Sequence, residues 1–152
     1  MLRFWVTLTI AVTLTSCDHA INARLIGTNP VEISDIAPAD LKKDSFSITH
    51  ATIENTSLYI VTSSGGGCRE HSYTLTMTPS AFMESFPVQT KIYLRHDAKD
   101  DPCDAIVTDS VVFDLRPIIT LYQQMYGPNG QVNLNLFNFE QTESTRLELQ
   151  VL

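Results

Sequence analysis

From residue 45 onward, apolar side chains recur at every second position, the period of a strand with one buried face. Residues 45–54 place Phe46 and Ile48 on one side, and Asn55 and Thr56 then supply a turn before the run LYIVTS. Residues 71–78 set His71, Tyr73, Leu75 and Met77 against Ser72, Thr74 and Thr76. Residues 88–96 set Val88, Ile92 and Leu94 against Gln89, Lys91, Tyr93 and Arg95. Ala105, Val107, Val111 and Phe113 share a phase in the run that follows. The last two runs alternate most cleanly: Val132, Leu134 and Leu136 form one apolar face, and Leu147, Leu149 and Val151 form another. About seven short strands with one apolar face each predict a mainly β fold. Its expected form is an antiparallel β-sandwich, immunoglobulin-like in general architecture.

One stretch departs from this period. Ile118, Leu121, Tyr122 and Met125 are spaced as on a helix, with Pro117 near its start and Gly127 just past its end. That arrangement predicts one short helix covering an open end or edge of the sandwich. Upstream, residues 17–43 hold no sustained period, and Asn29-Pro30 and Ala37-Pro38 interrupt them. Val31 and Ile33 alternate with Glu32 and Ser34 and offer an edge strand, but a spacer is the expected role.

The first residues set the compartment. Arg3 precedes an uncharged run from residue 4 to 15, and small residues lead to Cys17. A basic start, an apolar stretch of about a dozen residues and a small-residue cut form a signal peptide; the stretch is too short to span a bilayer. Leu14-Thr15-Ser16-Cys17 resembles the bacterial lipobox. That resemblance implies removal of residues 1–16 and acylation of Cys17, with two or three acyl chains as the durable membrane anchor. The expected organisation is therefore a cleaved leader over 1–16, a lipidated cysteine and tether over 17–43, and a single β domain over 44–152. The protein would sit in the bacterial cell envelope, anchored to the inner or outer membrane and facing the periplasm or cell surface.

Composition agrees with one exported domain. Without residues 1–16, 136 of the 152 residues remain, enough for a single core. Loss of Arg3 takes the formal charge from −7 to −8. No basic stripe exists to bind nucleic acid.

Two cysteines, Cys68 and Cys103, are left in an oxidising space, where an even pair reads as a disulfide. If residues 71–78 and 88–96 pair antiparallel, Cys68, His71, His96 and Cys103 gather at one end of the sheet. The same clustering leaves a zinc alternative open, with Cys68-x2-His71 and His96-x6-Cys103 as a tetrahedral set. A smaller variant keeps the disulfide and lets His71 and His96, helped by Asp97, hold zinc or copper; the alternative is that each histidine bonds to nearby backbone. Asp97, Asp100, Asp101 and Asp104 do not match the spacing of a calcium loop and read as a solvated hairpin. Gly65-Gly66-Gly67 lacks the Lys-Ser/Thr of a phosphate loop and reads as a turn into Cys68. G-x-S-x-G and H-E-x-x-H are absent.

Residues Leu58 to Pro117 resemble a group of small uncharacterised bacterial lipoproteins. The similarity rests on Gly66-Gly67-Cys68-x-x-His71, on residues 82–89, on His96-Asp97 with Asp101 and Cys103, and on Phe113-Asp114-Leu115-x-Pro117. It implies export, lipidation and a shared fold, and no reaction. The expected function is a non-enzymatic binding or envelope-interaction module, held to the membrane through Cys17, with an envelope protein or glycan as partner and no cofactor. Metal binding at His71 and His96 is the first alternative, and an enzyme with an unrecognised site the second.

Overall fold

The computed structural model describes residues 24–41, 43–139 and 144–152. In chain order the elements are β1 (Arg24–Pro30), β2 (Glu32–Ile33), the single-turn helix α1 (Pro38–Leu41), β3 (Ser47–Glu54), β4 (Ser57–Gly66) and β5 (Ser72–Met77). There follow β6 (Val88–Asp97), β7 (Ala105–Asp114), the helix α2 (Arg116–Tyr126), β8 (Gly130–Phe137) and β9 (Thr145–Val151). The lipobox and Cys17 lie outside the described residues.

Alternation does what the sequence predicts. Two sheets, ordered β1-β7-β4-β3 and β2-β5-β6-β8-β9, place their apolar faces against each other. Leu58 and Ile60 of β4 and Val111 and Phe113 of β7 meet Leu75, Met77, Ile92, Leu94, Leu134 and Leu136 in one core. At roughly 25 cal/mol per Å² of buried apolar surface, this shared face is the main stabilising term. Asn55 turns the first hairpin with φ 55°, a left-handed conformation that asparagine tolerates. The predicted helix is α2; Pro117 sits in its first turn, and Gly127, with φ 100°, ends it by donating its N–H to the Gln123 carbonyl. Ile118 and Tyr122 face inward, and α2 packs against β2 and β9 at one end of the sandwich.

The antiparallel expectation needs correction, because both sheets are mixed. β1 runs parallel to β7, β2 to β5 and β6 to β8. Chain routing causes the last of these. After β6 the chain crosses into the other sheet as β7, and α2 carries it back so that β8 starts at the same end as β6. A period of two is the same in either sense, so alternation alone cannot tell them apart.

The tether also ends sooner than 43. Residues 24–30 pair with β7 from Arg24 opposite Asp109 to Pro30 opposite Asp114, and Val31 and Leu41 are buried. Pro30 does not prevent pairing on an edge, where one side of the strand needs no partner, and Pro38 opens α1. β2 is the edge strand offered by Val31–Ser34 alternation, and its addition and that of β1 bring the strands among the described residues to nine. A chain truncated to begin at Asp44 should expose the β7 edge and leave part of the core open. We expect it to aggregate, or to unfold roughly 10 °C or more below a chain beginning at Asp18, at about 3–4 °C per kcal/mol for this size. Thermal unfolding of the two proteins checks this.

Candidate functional site

Two of the corners where the chain passes between the sheets, residues 67–71 and 98–104, lie at one end of the sandwich. Cys68 and Cys103 join them in a disulfide with Cα atoms 5.8 Å apart. Gly66 and Gly67, at φ 148° and 116°, turn the chain out of β4 in conformations that side chains rarely adopt. At Gly66 a Cβ would also stand 2.5 Å from the His71 ring. These backbone angles aim three successive amides inward. Gly67, Cys68 and Arg69 donate to Asp101 Oδ2 at 2.9, 2.9 and 2.8 Å, while Cys103 donates to Oδ1 at 3.0 Å. Desolvation alone would raise the Asp101 pKa, but the amides of Cys103, Arg69, Cys68 and Gly67 outweigh it. Its carboxyl is held far below the usual carboxylate range, so one anion fixes the backbone of both half-cystines.

Behind this clamp lies a buried chain of side chains. Asp101 Oδ2 stands 3.3 Å from His71 Nε2, and His71 Nδ1 stands 3.0 Å from His96 Nε2. The Ser64 hydroxyl stands 3.3 Å from the same Nδ1, so both ring nitrogens of His71 face polar partners. The Tyr73 hydroxyl donates to Asp109 Oδ2 at 3.0 Å and accepts from Thr62 at 3.0 Å. Desolvation first, with Asp109 adding to it against the Thr62 hydrogen bond, pushes Tyr73 up to about 12. The Tyr73 ring stacks on His96 at 4.8 Å, and Phe46 meets the same imidazole edge-on at 5.5 Å. His96, 1% exposed, is held below its ordinary pKa by desolvation and then by His71. Asp44, a backbone hydrogen bond at Ser45 and Asp109 oppose that shift without reversing it.

The sequence-predicted residues therefore separate. Cys68 and Cys103 are bonded to each other, which removes both thiolates from the four-ligand zinc alternative. His71 and His96 do converge, nitrogen to nitrogen, and an ion shared between them would have to part the hydrogen bond that joins them. Asp97 does not join them. The strand alternation turns it to the other face of β6, where it pairs with Lys43 and accepts from the Lys99 amide. Asp101, grouped in sequence with a solvated loop, is instead the centre of the arrangement, and its side chain is buried.

Asp109, Thr62 and Ser64 complete the network. Their signal is phase alone: Asp109 falls between Val107 and Val111 on the inward face of β7, and Thr62 and Ser64 continue the inward series of Leu58 and Ile60 in β4. Ser64, His71 and Asp101 have the residue types of a nucleophile, a base and an orienting acid. However, His71 Nδ1 lies closer to His96 than to Ser64, and Ser64 is only 8% exposed. The amides that would stabilise an oxyanion are already bonded to Asp101. What this geometry does chemically is hold two corners together.

Two tests follow from the cluster. A folded-state pKa of His96 below its unfolded 6.5 means that the unfolded chain takes up the proton first, so His96 favours folding above pH 6.5 and that contribution is lost as pH falls below it. The urea midpoint should drop between pH 7 and 5, and His96→Gln should flatten that dependence. Asp101→Asn removes the anion that orders Cys68 and Cys103, so dithiothreitol should reduce the bond several-fold faster than in the parent, whereas Asp97→Asn should leave the rate near the parent value; thiol labelling over time reads both.

No protein-family model matches the chain, and no curated protein matches it. Solved structures do share its fold. A toxin-related protein of Parabacteroides distasonis superposes with a TM-score of 0.53 at 23% identity, over 84% of this chain and 60% of that one. A NigD-like immunity protein of Bacteroides caccae gives 0.54 at 16% identity, over 80% of this chain and 58% of its own. A protein of unknown function from Bacteroides vulgatus gives 0.51 at 9% identity, over 86% and 58%. The chain thus spans about three fifths of the length of these proteins, and what they have in common with it is the β-sandwich.

Proposed function

We propose that the protein is a lipid-anchored β-sandwich of the bacterial cell envelope that works by binding rather than by catalysis. One observation carries the reading. The richest cluster of polar side chains among the described residues is buried, and its groups are bonded to one another, so it rigidifies one end of the domain instead of meeting a substrate. The disulfide between Cys68 and Cys103 suits an oxidising compartment. Among the described residues no helix is long and apolar enough to cross a membrane, and acyl chains on Cys17 would supply the anchor that the lipobox-like sequence implies. The fold is shared with a toxin-related and an immunity-like protein, so a role exercised through partner recognition is in keeping with its neighbours.

The anchor is tested by Cys17→Ser: we expect the variant to lose palmitate label and to leave the membrane fraction, and unchanged labelling and fractionation would remove the lipid. The binding role is tested by crosslinking in the native envelope followed by capture and mass spectrometry. We expect a partner protein or glycan recovered reproducibly with the parent chain; none under varied growth conditions would count against binding. Elemental analysis of the same sample decides the metal alternative, which stoichiometric zinc or copper lost in His71→Gln would favour.

A further inference from the structure

The end of the sandwich opposite the disulfide is built differently. His96 and Val88 lie eight residues apart along β6, about 26 Å at about 3.3 Å per residue. Where β6 begins, beside the start of β8 and the end of β9, there is a groove of about 600 Å³. Phe86, Tyr122 and Tyr126 give it aromatic walls, and Asn129, Gln131 and Gln150 give it amide groups. In a protein with 17 acidic and 10 basic residues, no charged side chain lines it. The neighbouring depression, which shares Gln150 and Leu152, contains Arg116 and Glu148 and makes the contrast plain.

The walls are held from below and exposed above. Tyr122 is buried, its hydroxyl pressed against Gly130 so closely that a Cβ there would stand 1.9 Å away. Phe82 meets the Tyr122 and Tyr126 rings edge-on at 6.0 and 5.8 Å, which fixes their planes. Tyr126 is nonetheless 46% exposed and Phe86 fully so. An exposed apolar cluster of this kind on one face marks a binding surface.

The chemistry of the lining selects the ligand. With no charged side chain among these lining residues, the groove offers little to pair with a phosphate or a cation, and a charged ligand would lose its hydration there without a side-chain counter-charge. The backbones of Val88 and Gly130 are already paired within the sheet, with Val132 and Val151. Ring faces and amide side chains are the distinctive groups this lining offers. The negative face of an aromatic ring attracts the weakly positive C–H face of a pyranose. Each amide presents a donor beside an acceptor, which suits the hydroxyl groups of a sugar, since each of these is both. We propose that this groove binds a neutral glycan, with Phe86 and Tyr126 as stacking platforms and Asn129, Gln131 and Gln150 as hydroxyl partners. The inference rests on the binding-module reading and gives it a ligand class.

The test uses the full-length chain in detergent, titrated calorimetrically with neutral oligosaccharides (gluco-, manno-, galacto- and xylo-hexaoses) and with sialylated and sulfated counterparts. A proline-rich neutral peptide is titrated alongside. At least one neutral hexaose should bind, with an affinity little changed between low and high salt. Phe86→Ala and Tyr126→Ala should each weaken it roughly three- to tenfold, and the double variant should abolish it. Phe86 is fully exposed, so Phe86→Ala should keep the parent unfolding midpoint and separates lost binding from lost folding. Affinity unchanged in both variants would place any glycan elsewhere and overturn the proposal. Binding of the peptide alone, or of charged glycans in preference, would overturn the ligand class. Absence of glycan binding together with a protein captured from the envelope would sink the glycan and leave the binding-module reading standing; absence of both would sink the two together.

Discussion

One carboxylate organises an entire end of this molecule. Asp101 accepts from amides on two inter-sheet corners and touches the first imidazole of the buried chain. The two sheets are covalently continuous at these corners, so fixing them orders how the sheets face each other at this end. Four backbone amides stabilise this anion, and the disulfide locks the same segments. The enclosed loop of about 36 residues is worth roughly 3.5–4 kcal/mol in the chain-entropy description, a large part of the stability of a small domain.

The imidazoles extend that order inward. One line of contacts runs from His96 through His71 to Asp101, and in the parallel branch Thr62 donates to Tyr73 and Tyr73 to Asp109. Each link supplies a partner to a group that would otherwise be buried and unsatisfied, which is the condition under which polar residues are tolerated in a core. The result is a rigid, polar end opposed to an apolar, open one, and the proposed activity is assigned to the open end.

Strand positions were readable because each has one face against the core: Leu75, Ile92, Leu134 and Leu149 are all fully buried where alternation puts them. The convergence of Cys68, His71, His96 and Cys103 followed from pairing two neighbouring strands, and Tyr73 does stand opposite His96. Three things were not readable. The parallel pairing of β6 with β8 depends on routing through α2, which leaves no mark in a two-residue period. β1 is stabilised by an edge more than 80 residues downstream, and nothing local in Arg24–Pro30 announces it. Asp101 and Asp97 have the same side chain four positions apart, and only the backbone turn at Lys99 and Asp100, both at positive φ, sends one inward and one to solvent.

The parallel pairing of β1 with β7 has a mechanical meaning. β1 begins opposite the middle of β7 and runs toward the groove end, so a pull on the chain ahead of Arg24 acts along the strand axis, away from the groove. Such a pull loads the β1–β7 hydrogen bonds together in shear rather than peeling them one at a time. An antiparallel first strand would present the opposite geometry and unzip from its end. The strand direction that alternation could not reveal is the one suited to bearing a load applied ahead of Arg24.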